Sequence, residues 1–572
     1  MSNIDWIVLL LTLSITILYG VYKSKSTKNL DGYFLGNRSL PWYLVLLSIM
    51  GTQASAVTFL SAPGQAYTDG MRFVQYYFGL PLAMIVLCIT FVPIFRKLNL
   101  YTAYEFLEQR FDIKTRTLTS SLFLLSRGLS TGISVYAPSI ILSSLLGWNI
   151  YWTNLFMGGL LIIYTVSGGA KAVAHTQKLQ LIVIFIGLFI AAYFCIHLLP
   201  EGVGFAEALQ IGGKMGKMNI ITTGINENGG FDWSDRYNLI SGSIGGFFLA
   251  LSYFGTDQSQ VGRFLTASSD KESRMGLLMN GIVKVPMQFL ILLIGILVFA
   301  FYQFHTAPLL FNTVPVKHAQ ATIYKDSIAQ LQQQHNALAG RKSTAAHALL
   351  NALKQGNDAK IEVNQLQLVN KEQDLLRKEV KRVIAKSGVV DDTNDTNYIF
   401  LKFVVDYLPI GLVGLLIAVI FLAAWGSIAA ALNSLASASV VDFHKKFINT
   451  NLSEAEDYKI SKLYTLFWGL FCVVVAQFVV GMGSLIEAVN ILGSWFYGVI
   501  LGIFLVAFYL KKIRGNAVFW GAIVSEILVI ICYWQLNIGW LWLNVIGAIL
   551  VVLISGLLNI IPNSAKLSVR EK

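Results

Sequence analysis

The sequence predicts an all-α membrane protein of about 13 transmembrane helices, laid out as a five-plus-five inverted repeat with a helical extracytoplasmic insertion. Three observations predict it. Of the 572 residues, 55% are hydrophobic and 13% charged, where a soluble chain carries about 25% charged residues. Apolar stretches long enough to span a bilayer lie near 5–22, 41–66, 73–95, 118–146, 150–167, 176–199, 237–256, 276–303, 401–440, 460–482, 485–510, 516–536 and 539–561. The second of these, in Leu40–Ala66, is interrupted at its centre by Ser48, Gly51, Thr52, Ser55 and Thr58. A helix weakened at mid-membrane is tolerated only where protein or water lines the break, and in secondary transporters such breaks hold substrate and coupling ion.

Taken in order, residues 1–40 are an N-terminal extra helix and a cytoplasmic loop. No Lys or Arg precedes the apolar run and no small-x-small site follows it, so it is kept as a helix and not as a cleaved signal. Residues 41–199 form the first five-helix repeat, and 200–236 an extracytoplasmic loop. The second repeat has two helices in 237–303 and three in 401–510, and 511–572 hold two C-terminal helices and a cytoplasmic tail. An odd number of helices per repeat forces the two into opposite orientations. Each opens on an interrupted helix, at Ser48–Ser55 in one and at Gly242, Gly245, Gly246 and Gly255 in the other. Such matched interruptions point to a binding site. Gly168-Gly169 closes the fifth span, and Asp442 and His444 end the hydrophobic stretch at 401–440.

Residues 304–400 are the insertion. Ile328, Leu331, Leu338, then Leu349, Leu350, Leu353, then Leu366, Leu375, Leu376, Val380 and Val383 recur at helical spacing, with Gly340 and Gly356 as breaks. The pattern fits a solvated helical hairpin, against which the 200–236 loop can pack, or a docking site for an extracytoplasmic protein partner.

The net charge of +12 does not signal nucleic acid, because of where it sits. Alternate loops on one side hold 24 Lys and Arg, from Lys23, Lys25, Lys28 and Arg38 through Lys445 and Lys446 to Lys566, Arg570 and Lys572. Short loops on the other side hold few, among them Arg72, Lys214 and Lys217. Positive residues stay cytoplasmic, so the N-terminus is extracytoplasmic and the C-terminus cytoplasmic, in a multi-pass protein of the cell membrane. The four cysteines form no CxxC pair, so neither zinc nor a disulfide framework is indicated. No HExxH, GxSxG or paired-carboxylate motif lies within a span, which argues against an enzyme.

Four segments carry a resemblance. They are Ser-Ala-Val-Thr-Phe-Leu at 55–60, Tyr-Thr-Val-Ser-Gly-Gly-Ala-Lys-Ala-Val at 164–173, Ser-Tyr-Phe-Gly-Thr-Asp-Gln-Ser-Gln-Val-Gly-Arg at 252–263, and Ala-Leu-Asn-Ser-Leu-Ala-Ser-Ala-Ser-Val-Val-Asp at 431–442. In this order and spacing the chain resembles the sodium:solute symporter family, which has the LeuT-type inverted-repeat fold, over roughly 5–300 and 400–560. The resemblance implies a secondary active transporter that couples a sodium ion to a small organic solute by alternating access. It places sodium on the carbonyls of Gly51, Ala54 and Ala423 and on a hydroxyl pair that here reads Gly426 and Ser427, so one hydroxyl is missing. Ser427 also reads as a packing serine on a small-residue face. A carboxylate used by some members for a second sodium is replaced at Gln177, and Ala430 lacks the matching hydroxyl. One sodium per solute is expected. Proton coupling stays open, with Glu487 and Glu526, read as near-interface residues, as its candidates.

Sugar-carrying members present four polar side chains where this chain has Thr58, Tyr77, Ala250 and Val489, while Lys284 keeps a retained lysine. A site stripped of hydrogen-bonding groups disfavours a hexose. Ser55, Thr58 and Tyr136-Ala137-Pro138 look more like the monocarboxylate and sialic acid branch. A carboxylate needs helix-break donors or a guanidinium fork. Arg127 offers the fork, or else snorkels toward the cytoplasmic end of its span, and Lys284 has the same two readings. Tyr253 and Phe254 match an aromatic gate below the substrate, or are core packing. Candidate substrate residues are thus Ser55, Thr58, Tyr77, Arg127, Tyr253, Phe254 and Lys284. The expected solute is a small organic anion, with a neutral sugar and a transporter-like sensor as alternatives.

Overall fold

The structure, a computed structural model, describes residues 1–24, 34–167, 170–226, 228–388, 393–450 and 453–560. Gly168-Gly169, Lys25, Lys28, Lys566, Arg570 and Lys572, named above, lie outside them. The described residues are helical almost throughout, with two isolated β-bridges and no strand. Among the described residues, nine helices are long and apolar enough to cross a membrane, or ten with the bent pair Trp42–Gln53 and Ala56–Asp69 taken as one span.

In chain order the helices are α1 (Asn3–Ser24), α2 (Trp42–Gln53), α3 (Ala56–Asp69), α4 (Met71–Lys97), α5 (Ile113–Leu146), α6 (Ile150–Ser167), α7 (Ala170–His197), α8 (Phe205–Lys214), α9 (Gly246–Thr256), α10 (Gln258–Leu265) and α11 (Asp270–Phe304). Then follow α12 (Thr313–Gln320), α13 (Lys325–Lys354), α14 (Lys360–Lys386), α15 (Ile399–Tyr407), α16 (Leu412–Ala438), α17 (Glu454–Ala476), α18 (Leu485–Tyr509), α19 (Gly515–Gln535) and α20 (Leu541–Ile560). The buried centre is α16: every residue from Ile417 to Ala438 is buried, and α1, α2, α5, α7 and α17 pack on it. A run this apolar on all faces belongs inside a bundle.

Several expectations change. The second interrupted helix does not break at its glycines. Gly242 and Gly246 instead let α4 approach, because a Cβ would lie 2.3 Å from the Gln75 carbonyl oxygen and 2.4 Å from that of Tyr76. The break falls at Asp257, which is extended between α9 and α10. Asp442 does not end its helix. The path continues in wider turns to Ile448, and the Asp442 carboxylate, fully buried, accepts from Thr102 Oγ1 (2.8 Å), Arg116 Nε (2.8 Å) and Ser120 Oγ (2.9 Å). Glu487 lies in the first turn of α18 and accepts from Tyr237 (2.7 Å) and Arg236 (2.9 Å). Glu526, by contrast, sits near the middle of α19, buried, with neither oxygen partnered among the described residues. The four cysteines are unpaired.

In the insertion, α13 runs unbroken through Gly340, where a glycine costs only about 1 kcal/mol. Gly356, at φ +70°, does turn the chain. Leu366, Val369, Gln373, Val380 and Ile384 form the buried stripe of α14, and Leu375 falls off it, 57% exposed. The hairpin rests on α8 and α11. Its return bolts to the bundle: Asn397 Nδ2 donates to Gly483 O (2.8 Å) and its Oδ1 accepts from Leu485 N (3.2 Å).

Candidate ion and substrate site

The bend between α2 and α3 is 62°. Ala54 (φ −81°, ψ 74°) leaves the helical region and Ser55 (φ −82°, ψ 170°) is extended. The Ser55 N–H donates to Gln53 O (3.0 Å) and the Thr58 N–H to Ser55 O (2.9 Å). In a continuous helix these two donors would reach Gly51 and Ala54. The break therefore releases the Gly51 and Ala54 carbonyls from the ladder, the same two on which the family resemblance places sodium.

Across from the break, Ser427 Oγ lies on α16 and donates to Ala423 O (2.9 Å) and Ala424 O (3.1 Å). Gln177 of α7 ties the two helices together. Its Oε1 accepts from Ser48 Oγ (2.9 Å), and its Nε2 donates to Thr52 Oγ1 (3.3 Å) and to Gly426 O (3.1 Å). Gly51 is small because Gln177 is there: a Cβ would lie 2.9 Å from Gln177 Cβ. Sodium is a hard cation that takes oxygen ligands, and carbonyls of unwound helix supply them in membranes. Released carbonyls and a hydroxyl on facing helices fit it. Among the described residues no three His, Cys, Asp or Glu gather as a cluster that could hold a metal.

Beside the break opens a cavity of about 80 Å³ lined by Ser55, Thr58, Tyr77, Arg127 and Tyr253. A second, of about 70 Å³, shares Ser55, Arg127 and Tyr253 and reaches Ser427. The ion-side hydroxyl and the guanidinium thus face connected space. Arg127 is 8% exposed, and its guanidinium lies 5.8 Å from the Tyr253 ring centre. Arg127 Nη1 stands 3.7 Å from Asp257 Oδ2, and Nε has no partner among the described residues. Asp257 is held in turn by the Ser259 N–H (2.8 Å) and the Tyr497 hydroxyl (3.1 Å). A guanidinium with one edge paired and another free can fork onto a carboxylate.

The structure brings together five of the seven candidate substrate residues. Phe254, 1% exposed, packs edge-on to Tyr253 and lines neither cavity. Lys284 is likewise buried and off the lining, with its ammonium 5.8 Å from the Tyr77 ring. The sequence reading missed Gln53 and Asn490, which line the larger cavity, and Asp257. Asn490, polar within an apolar span, carried a usable signal. Asp257 stood inside a quoted motif, but its ion pair is a long-range contact.

A helix broken at mid-span, oxygen ligands on facing helices and an adjoining polar cavity define a membrane symporter. The model of the sodium:solute symporter family matches residues 33–332 and 380–525, and the chain belongs to that family. It is a multi-pass, sodium-coupled transporter of a small solute, not an enzyme. It is 25% identical to the sodium/sialic acid symporter SiaT of Proteus mirabilis (strain HI4320), over 96% of this chain and 93% of that protein. To the sodium/sialic acid symporter NanT of Aliivibrio fischeri (strain ATCC 700601 / ES114) it is 23% identical, over 97% and 92%. A solved Na+-coupled sialic acid symporter, in a substrate-bound outward-open state, matches in fold with TM-score 0.74 and 23% identity over 98% of both chains.

Proposed function

We propose that the solute is an organic anion of the sialic acid class, imported with one sodium ion by alternating access. The observation that carries this reading is Arg127, a buried guanidinium facing the same cavity as Ser55 and Thr58 of the broken helix. An intramembrane Arg is costly and functional by default. The relatives named for sialic acid span nearly the whole chain. Ser55, Thr58, Tyr77, Arg127 and Tyr253 contact the solute. Sodium sits on Gly51, Ala54, Ala423, Gly426 and Ser427, and its binding favours the outward-open state.

Among the described residues, the nine long apolar spans, the bent pair, the shorter α1 and α6, and the broken pair α9–α10 are read as thirteen crossings. The repeats are 41–199 and 237–510, interrupted by the extracytoplasmic insertion at 304–400. The N-terminus lies outside and the C-terminus inside an inner membrane, with the basic loops inward. An outer protein partner gains no support, since the apolar stripes of α13 and α14 close on each other and on α8 and α11.

Uptake into proteoliposomes tests the reading. Labelled sialic acid is compared with pyruvate, lactate, glucose and galactose, with and without an inward sodium gradient. Sodium-driven accumulation of the acidic sugar is expected. Ser427→Ala is expected to raise the sodium half-saturation by about tenfold or more, and Arg127→Ala to abolish uptake, on the scale of a lost charge-assisted contact. Accumulation indifferent to sodium, or best for a neutral sugar, overturns it.

A further inference from the structure

The hydroxyl missing at Gly426 leaves the ion seat one side-chain oxygen short. The space it vacates is filled. A Cβ built on Gly426 would lie 2.3 Å from Gln180 Oε1 and 3.4 Å from Gln177 Cγ. A contact of 2.3 Å cannot stand, so a side chain at 426 would displace the Gln180 oxygen, which occupies the volume that a serine there would take.

Two further observations single out Gln180. It is 3% exposed, and its side chain reaches the Tyr164 hydroxyl, so it is held from the α6 side as well. It also lies three residues after Gln177, on the same face of α7, and Gln177 already holds the Gly426 carbonyl at 3.1 Å. Helix α7 therefore meets residue 426 twice, once with an amide donor and once with an amide oxygen. Glycine at 426 and glutamine at 180 are complementary: the one makes room for the other.

We propose that Gln180 Oε1 is a sodium ligand, supplying from α7 the oxygen that residue 426 lacks, so that the ion is held by α2, α16 and α7 together. This rests on the sodium seat proposed above. An amide oxygen is neutral, so the seat keeps its net charge and stays suited to a single monovalent cation.

The test is the sodium half-saturation of uptake in proteoliposomes, with sodium-dependent thermal stabilisation of the purified full chain as a second readout. Gln180→Ala is expected to raise the half-saturation by about tenfold, with the substrate half-saturation at saturating sodium unchanged. In that background Gly426→Ser returns an oxygen to the vacated space and restores sodium affinity. Gly426→Ala fills the same space without an oxygen and does not. Gln180→Met, which keeps length but loses the oxygen, stands in for Gln180→Ala if the shorter side chain fails to fold, with the same rise expected. An unchanged half-saturation in either variant, or equal rescue by Gly426→Ala, overturns the inference and leaves the transport reading standing. Uptake by the native chain that ignores sodium overturns the transport reading itself.

Discussion

The two broken helices use one backbone device for opposite chemistry. At Ala54–Ser55 the break is neutral, and its product is a pair of released carbonyl oxygens. At Asp257 the break carries a carboxylate, which caps α10 and stands 3.7 Å from Arg127. The first break offers partial charges to a cation, and the second spends a full charge on holding a cation of the protein itself. What a break does is thus decided by the residue at the gap, since the bend alone frees peptide groups in both.

The largest effect expected from this contrast is at the second break. Asp257→Asn leaves Arg127 buried without its carboxylate, a change that costs about 3 kcal/mol or more when a buried pair is broken. Uptake is expected to fall by at least about tenfold, read as initial rates in proteoliposomes. Uptake near the native rate would mean that the pair is incidental and the contrast wrong. At the first break a side chain matters less for the ion, because the sodium seat proposed above uses backbone oxygens there. Ser55→Ala is expected to raise the solute half-saturation by about fivefold, the worth of one hydrogen bond of about 1 kcal/mol, and to leave the sodium half-saturation in place. A shift in sodium alone would move Ser55 from the solute to the ion.

The smallest effect lies far from either break and serves as the control. Lys342, in the insertion, is buried and donates to Gln373 Oε1 at 2.9 Å. Burial pushes its pKa down from 10.5 to about 7. The unfolded insertion keeps the proton up to the ordinary lysine range, so between these values the unfolded state binds more protons and stability rises with pH. Below pH 7 the full penalty applies. Lys342→Met is expected to stabilise the chain at pH 6 by about 1 kcal/mol, as apolar replacements of buried charge do, with the gain shrinking toward pH 10 and sodium half-saturation unmoved. Thermal melts at the two pH values decide it, and destabilisation at pH 6 would contradict the assignment.

Sequence made the first break legible because Ser48, Gly51, Thr52 and Ser55 interrupt a span with no charge to explain them. The second was misplaced because glycine serves two ends. Gly242 and Gly246 bring backbones together, a contact invisible along one strand of sequence, while Asp257 ends the helix by capping the next. Asp442 read as helix punctuation because its partners, Thr102, Arg116 and Ser120, come from more than 300 residues earlier. Gln177 was read for the carboxylate it replaces and not for what it reaches, and Gln180 was not singled out. Their targets, Gly426 above all, lie about 250 residues away.

The return of the insertion has a mechanical consequence. Gly64 of α3 has no side chain because a Cβ would fall 1.8 Å from the Thr396 carbonyl oxygen, and Asn397 is pinned to Gly483 and Leu485 at the start of α18. The chain there is a wedge driven between α3 of the broken helix and the start of α18. Any tilt of α3 against α18 must shear it, so the far end of a long hairpin is tied to the broken helix through two residues, Thr396 and Asn397.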